Sequence, residues 1–220
     1  MFTEPAWTAA RSSERDAGTI ATAEASSRRL RIVTCDSDGP GRQQAEAYVR
    51  DGFHRTHGAH IQTFMPSLLM LTDAAGSLRG VTGCRVAGAG PLFLERYLDR
   101  SIEDVLAVKT GARVRRAEVV EVGNFACRDP RVARTFMSLL PRHFIENDLV
   151  WITFTATVSI RRILRHLGAR CVDLGAATGA CVRGGADEWG RYYSNDPRVM
   201  AGYLPLARRI PALWAGAHAD

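Results

Sequence analysis

The stretch AEVVEVGNFACRDPRVARTFMSLLPRHFIENDLVWITFTATVSIRRILRHLG, residues 117–168, decides the fold. It reads strand, helix, strand, helix. Two apolar, β-branched runs, AEVVEVGNFA and LVWITFTAT, flank a helical segment. This predicts two parallel neighbouring strands joined by a crossover. Asp129-Pro130 marks where the helix begins, since Asp is a favoured N-cap and Pro tolerates the first helical position, whose N–H has no intrahelical partner. A strand running into a helix N-terminus aims several backbone N–H groups at one spot, a seat for an anionic ligand group. Pro141, inside the helix, predicts a kink.

Strand alternation places Val119, Glu121, Gly123 and Phe125 on one side of the first strand and Val120, Val122, Asn124 and Ala126 on the other. Glu121 is then a carboxylate in an otherwise apolar strand. Burial raises the pKa of such a group, which is how a general base near neutrality is made; the alternative is a buried ion pair with one of the many arginines. Gly123 removes a side chain in mid-strand, which fits a bulge or the close approach of a ligand. Asn124 offers both a donor and an acceptor. The second strand ends Thr155-Ala156-Thr157; its hydroxyls either orient a substrate or cap the next helix.

Upstream, residues 1–28 have no apolar period and read as a disordered tail. One domain over 29–220 follows. RLRIVTCD is a short strand, and Arg42 to His57 is a helix with Ala45, Val49 and Phe53 on one face. Ser67–Thr72 and Leu78–Val86 form a hairpin around Asp73–Gly76. PLFLERYLDRSIEDVLAVKTG contains one or two short helices, with Ser101 as cap and Gly111 as terminator. These cover one end of the sheet and carry Glu95 and Tyr97. Downstream, ARCVDLGAA is a further strand. Residues from about 176 to 220 read as a structured C-terminal arm, because Trp189, Tyr192, Tyr193 and Tyr203 are costly to leave in water. Asn195-Asp196-Pro197 predicts a last short helix through Met200.

The chain has 220 residues and 46% apolar content, enough for one substantial core. No apolar run long enough to span a membrane and no secretory signal is seen, so a cytoplasmic protein without integral membrane association is expected. The cysteines, Cys35, Cys84, Cys127, Cys171 and Cys181, are scattered and include no CxxC pair. They read as small buried hydrophobes, with neither a zinc site nor a disulfide framework. His54 and His57 share a helix face but have no third ligand, so no metal is expected. Net charge is +6 and pI about 9.4. Lys109 is the only lysine, so the excess is arginine spread along the chain. That reflects codon preference, or favours an acidic partner such as a carrier protein, a phosphate-bearing cofactor or an anionic membrane. Nucleic acid is not expected, because no aromatic-interleaved basic patch occurs.

Strand, capped helix, strand, then a helix ending LRHLGAR resembles the core of the GNAT acyltransferases. This implies an α/β fold, a mixed central sheet flanked by helices, with splayed parallel strands that admit a pantetheine arm. Two departures stand out. The segment Cys127–Ala133 lacks the glycines of the usual pyrophosphate loop, and Leu164 occupies the place of the usual general-acid tyrosine. EVGNFA at 121–126 is similar to the strand motif of acyl-homoserine-lactone synthases, with Glu121 on that group's glutamate and Asn124 on its arginine. The blocks FMPSLL, PLFLERYLD, EVVEVGNFA, FTAT and WGRYYSNDPRVMAG resemble the thermostable hemolysin family.

The resemblance implies an N-acyltransferase moving an acyl group from a carrier thioester, acyl-CoA or acyl-phosphopantetheine on an acyl carrier protein, to a small-molecule amine. Glu121 and Asn124 are then the catalytic candidates. Phe125, Ala126, Cys127, Arg128, Arg131 and Arg134 would hold the carrier arm. Glu95, Tyr97, Thr155, Thr157, Arg191, Tyr192 and Tyr193 would line the acceptor pocket. Two other readings stay open: a GNAT-like module that binds without catalysis, and a membrane-active protein as the hemolysin name implies.

Overall fold

A computed structural model describes residues 30–182 and 186–214; the expected tail over 1–28 lies outside them. The chain builds β1 (Arg31–Cys35), α1 (Arg42–His57), β2 (Ser67–Thr72), β3 (Leu78–Val86), α2 (Ile102–Thr110) and β4 (Val119–Cys127). It continues with α3 (Pro130–Ile145), β5 (Trp151–Ala156), α4 (Val158–His166), β6 (Cys171–Ala176), β7 (Arg198–Tyr203) and a short α5 (Pro211–Trp214). The strands form a seven-stranded mixed sheet in the order β1-β2-β3-β4-β5-β7-β6. Among the described residues only β4 and β5 pair in parallel, joined by α3 as the crossover.

Local chemistry sets the boundaries. The Asp129 carboxylate accepts from the Arg131 N–H at 2.7 Å and starts α3. Ser101 caps α2 at the Asp104 N–H, and Gly111, in the left-handed region, ends it. Asp73 Oδ1 accepts from the N–H groups of Ala75 and Ser77 and closes the hairpin turn. Pro141 sits within α3 without ending it.

One face of the sheet is covered by α1 and α2. Ala45, Val49 and Phe53 pack on Leu68, Met70, Val81 and Ala126, and Ile102, Val105 and Leu106 pack on Val119, Trp151 and Val199. Across the sheet, Phe136, Leu140 and Phe144 of α3 pack on Leu69, Leu71, Val120 and Val122. Helix α4 has no fully buried residue, so its apolar stripe borders open space.

Two expectations are corrected. Residues 198–203 are a strand, not a helix. Asp196 takes a left-handed φ of 45° and turns the chain after Asn195, and RVMAGY then alternates, with Val199 and Ala201 buried. That period of two outweighs the Asn-Asp-Pro cap signal. The strand lies between β5 and β6, so part of the predicted arm completes the sheet. The second correction concerns β4. Its pairing with β3 shifts register between Val81 and Gly83, opposite Asn124, which has φ 49°. This bulge reverses the alternation beyond it. Phe125 therefore joins Val120 and Val122 on the α3 face, and Ala126 joins the α1 face.

Candidate active site

The parallel pairing of β4 and β5 ends at Val122 with Phe154. Beyond it β4 continues only with β3, and β5 only with β7. The bulge at Asn124 turns β4 away, and the two strands part. A cavity of about 740 Å³ runs through the gap and reaches both faces of the sheet. On the α1 face its walls include Phe53, His57, Phe93, Trp189 and Tyr192; on the α3 face they include Met137, Leu140, Ile160, Ile163 and Leu206.

Glu121 lies at the crossing and is 3% exposed. Its carboxylate accepts from the Phe93 N–H at 2.7 Å and the Leu94 N–H at 2.9 Å, at the start of a 3-10 turn, Leu94–Tyr97. Among the described residues no cation pairs with it. Its register neighbour Arg85 instead donates to the Pro91 carbonyl at 2.8 Å. Burial pushes the Glu121 carboxyl up to about 7, against the pull of the two N–H donors and of Arg85.

Asn124 lines the cavity, but its Oδ1 accepts from the Met65 N–H at 2.8 Å. That bond ties the segment before β2 to the bulge and lays the Met65 side chain over Gly83 and Gly123. A Cβ on Gly123 would stand 2.7 Å from Met65 Cε. The space beside Gly123, read from the sequence as a bulge or an approach for a ligand, is filled by the Met65 side chain.

Phe125, Ala126 and Cys127 line the β4 side of the gap. Arg128 does not; it donates to Asp51 at 2.8 Å and its guanidinium stacks on Tyr48. Arg131 and Arg134 are exposed on the first turns of α3, outside the cavity wall. Thr155 lines the cavity and its hydroxyl accepts from Tyr192 at 3.1 Å. Thr157 is buried in the wall at the N-cap of α4, but its side chain makes no cap bond.

Glu95 is drawn away from the site. Burial opposes its charge, but the Arg116 guanidinium and the N–H groups of Ile102 and Leu92 hold its carboxyl down to about 2. It braces the start of α2. Tyr97 is in the wall, and its hydroxyl shares a 2.7 Å hydrogen bond with that of Tyr193, which stands behind it. Arg191 lies outside the wall, and its N–H donates to the His57 carbonyl at 2.8 Å.

Phe93, Arg96 and Met65 belong to the wall but were not among the candidates drawn from the sequence. Phe93 and Arg96 enter through the excursion between β3 and α2, and Met65 through an extended segment. Trp189 and Tyr192 are delivered by Gly190, whose φ of 51° and position, with a Cβ 2.2 Å from the His57 carbonyl, admit only glycine. Among the described residues no group of three or more His, Cys, Asp or Glu side chains could hold a metal, and no helix is long and apolar enough to cross a membrane.

The blocks FMPSLL, PLFLERYLD, EVVEVGNFA, FTAT and WGRYYSNDP thus converge on one cavity. The profile of the family described as thermostable hemolysin matches residues 35–207. The chain belongs to the thermostable hemolysin family. No curated protein sequence matches it. This thermostable hemolysin family chain is similar in structure to the AHL synthase LasI, with 13% identity, 87% of this chain and 98% of that one covered, and a TM-score of 0.57. It is similar to FeeM, an N-acyl amino acid synthase from uncultured soil microbes, at 19% identity, with 82% and 94% covered and a TM-score of 0.56. The CoA-dependent acyl-homoserine lactone synthase MesI follows at 16% identity, 84% and 93% covered, and a TM-score of 0.52. At these identities the likeness shows the fold: the family member has the mixed, helix-flanked sheet of GNAT-like proteins.

Proposed function

We propose that the chain is an N-acyltransferase that moves an acyl group from a phosphopantetheine thioester to a small amine. The observation that carries this reading is Glu121, a buried carboxylate that pairs with no cation among the described residues and lies where the cavity crosses the sheet. With its carboxyl pushed up to about 7, it ionises near neutrality and accepts a proton from an ammonium group entering on the α1 face. The freed amine attacks the thioester carbonyl in the gap between β4 and β5. The C–N bond forms, the C–S bond breaks, and the thiolate leaves with the carrier arm and takes up the second proton that the nitrogen sheds, giving the thiol. Thiols ionise near pH 8–9, roughly, so this leaving group departs without an acid, and the presence of Leu164 in place of a tyrosine does not block the step. Asn124 acts through Met65, holding the bulge that parts the strands. Phe125, Ala126 and Cys127 border the arm, and Thr155, with Tyr192 bonded to it, borders the acceptor.

The apolar half of the cavity, between α3 and α4, suits the acyl chain. The N–H of Arg131 at the start of α3 is taken by Asp129, an anion where a pyrophosphate would sit. That favours an arm presented by a carrier protein over free CoA, with Arg131 and Arg134 meeting an acidic carrier surface. A long-chain N-acyl product is a detergent, which would account for lysis without a pore.

The test is mass spectrometry of purified protein with acyl-CoA or acyl carrier protein and an amine panel, beside Glu121→Gln. Amide product from wild type and its loss in the variant are expected. Full transfer by a folded Glu121→Gln protein would falsify the assignment. Liposome leakage without any donor would favour a lytic protein instead.

A further inference from the structure

The α1-face half of the cavity differs sharply from the α3-face half. Its wall is aromatic. The Trp189 ring lies 5.7 Å from Phe93, 6.1 Å from Phe53 and 5.5 Å from Tyr192, centroid to centroid. Flat rings of this kind favour a flat partner. Its charges are also unusual. Besides Glu121, the ionic side chains of this half among the described residues are Arg85 and Arg96. Neither is in an ion pair among the described residues, so both charges stand open to the cavity.

Arg96 is held in place. Its guanidinium lies 3.7 Å above the Phe93 ring centroid, and its Nε donates to the Phe93 carbonyl at 2.9 Å. The terminal nitrogens of the fork are left for another acceptor. Phe93 also donates its own N–H to Glu121. One residue therefore spans a carboxylate on one side and a guanidinium on the other. His57 borders the same half, and its Nδ1 is buried without a partner among the described residues.

Resting on the transferase reading, we infer that the acceptor is an α-amino acid with an aromatic side chain. Its ammonium meets Glu121, its carboxylate meets the Arg96 fork, and its ring lies against Phe93 and Trp189. A single acid facing two arginines repels an acceptor of net positive charge, such as a sulfonium-bearing amine, and receives a zwitterion. In the transfer the amino acid nitrogen loses its protons, one by way of Glu121. It forms the C–N bond to the acyl carbon as the C–S bond breaks, and the products are the N-acyl amino acid and the free thiol.

The experiment compares acylation of phenylalanine, tyrosine and tryptophan with that of phenethylamine, tyramine and tryptamine, and of S-adenosylmethionine. It uses whole protein with one acyl thioester donor. The amino acids should exceed their decarboxylated partners in kcat/KM by about ten- to a hundred-fold, the range set by one charge-assisted contact. In Arg96→Gln that preference should collapse through KM, with kcat nearly kept, and Arg96→Lys should restore part of it. Equal turnover of amines and amino acids, a preference for S-adenosylmethionine, or an unchanged KM in a folded Arg96→Gln protein overturns the acceptor assignment and leaves the transferase reading standing. Binding of the donor with no amide formed on any acceptor overturns both.

Discussion

Glu121 carries an unusual proton affinity, and that has two measurable effects. If it is the base, kcat/KM rises with pH as the carboxyl ionises through about 7, and the rise is absent from the residual rate of Glu121→Gln. The folding effect has the opposite sense. The folded value lies above the ordinary 4.5, so the native state holds the proton more tightly than the unfolded chain. Its stabilising contribution is complete below pH 4.5 and is lost as pH rises through 7, on the order of 3 kcal/mol in all. Denaturant melts at pH 5 and pH 9 should show wild type losing stability relative to Glu121→Gln by that order. Asn124 makes a second case. Asn124→Ala and Asn124→Gly both lose the bond from the Met65 N–H, but glycine accepts φ 49° freely. Asn124→Gly should therefore be the more stable by about 1 kcal/mol in chemical denaturation. The oddness of Glu121 was legible from its apolar neighbours alone. Its partners were not, because the N–H groups of Phe93 and Leu94 reach it across a loop that leaves no periodic trace.

The antiparallel β3–β4 pair and Met65 form one packed unit. A Cβ on Gly83 would lie 2.5 Å from Met65 Cβ, close to the main chain, whereas on Gly123 it would meet only the mobile methyl end at 2.7 Å. Gly83→Ala should cost about 1–3 kcal/mol, and Gly123→Ala much less; thermal melts of the two variants check this. Helices and hairpin were readable at this scale because capping residues and apolar spacing agree: Arg42–His57, Ser67–Thr72 and Leu78–Val86 match the periodicities in their sequences. The bulge was not, since one left-handed Asn leaves no break in composition yet exchanges the faces of Phe125 and Ala126. Arg198–Tyr203 was misread because a local cap signal competed with a six-residue alternation.

Across the molecule, the cavity pierces the sheet, so in the proposed reaction donor and acceptor arrive from opposite faces. Narrowing one should leave the other intact. Ala169, partly buried in the α3-face wall beyond α4, offers a place to do this. Ala169→Phe should shorten the longest acyl chain accepted while sparing short-chain transfer and the KM of the amine, read from products of donors graded by chain length. The sequence signalled two parallel strands and the GNAT resemblance implied that they part, but neither gave the volume between them, which depends on how α4 and the Leu204–Arg209 turn stand off the sheet.

The position of β7 bears on biosynthesis. As the ribosome emits the chain, β5 is ready long before its second neighbour exists, and β6 has no strand to join. Both edges stay open, templates for pairing with other chains, until residues 198–203 clear the exit tunnel and slot between them. Nascent chains stalled before β7 should therefore be the species that holdase chaperones capture.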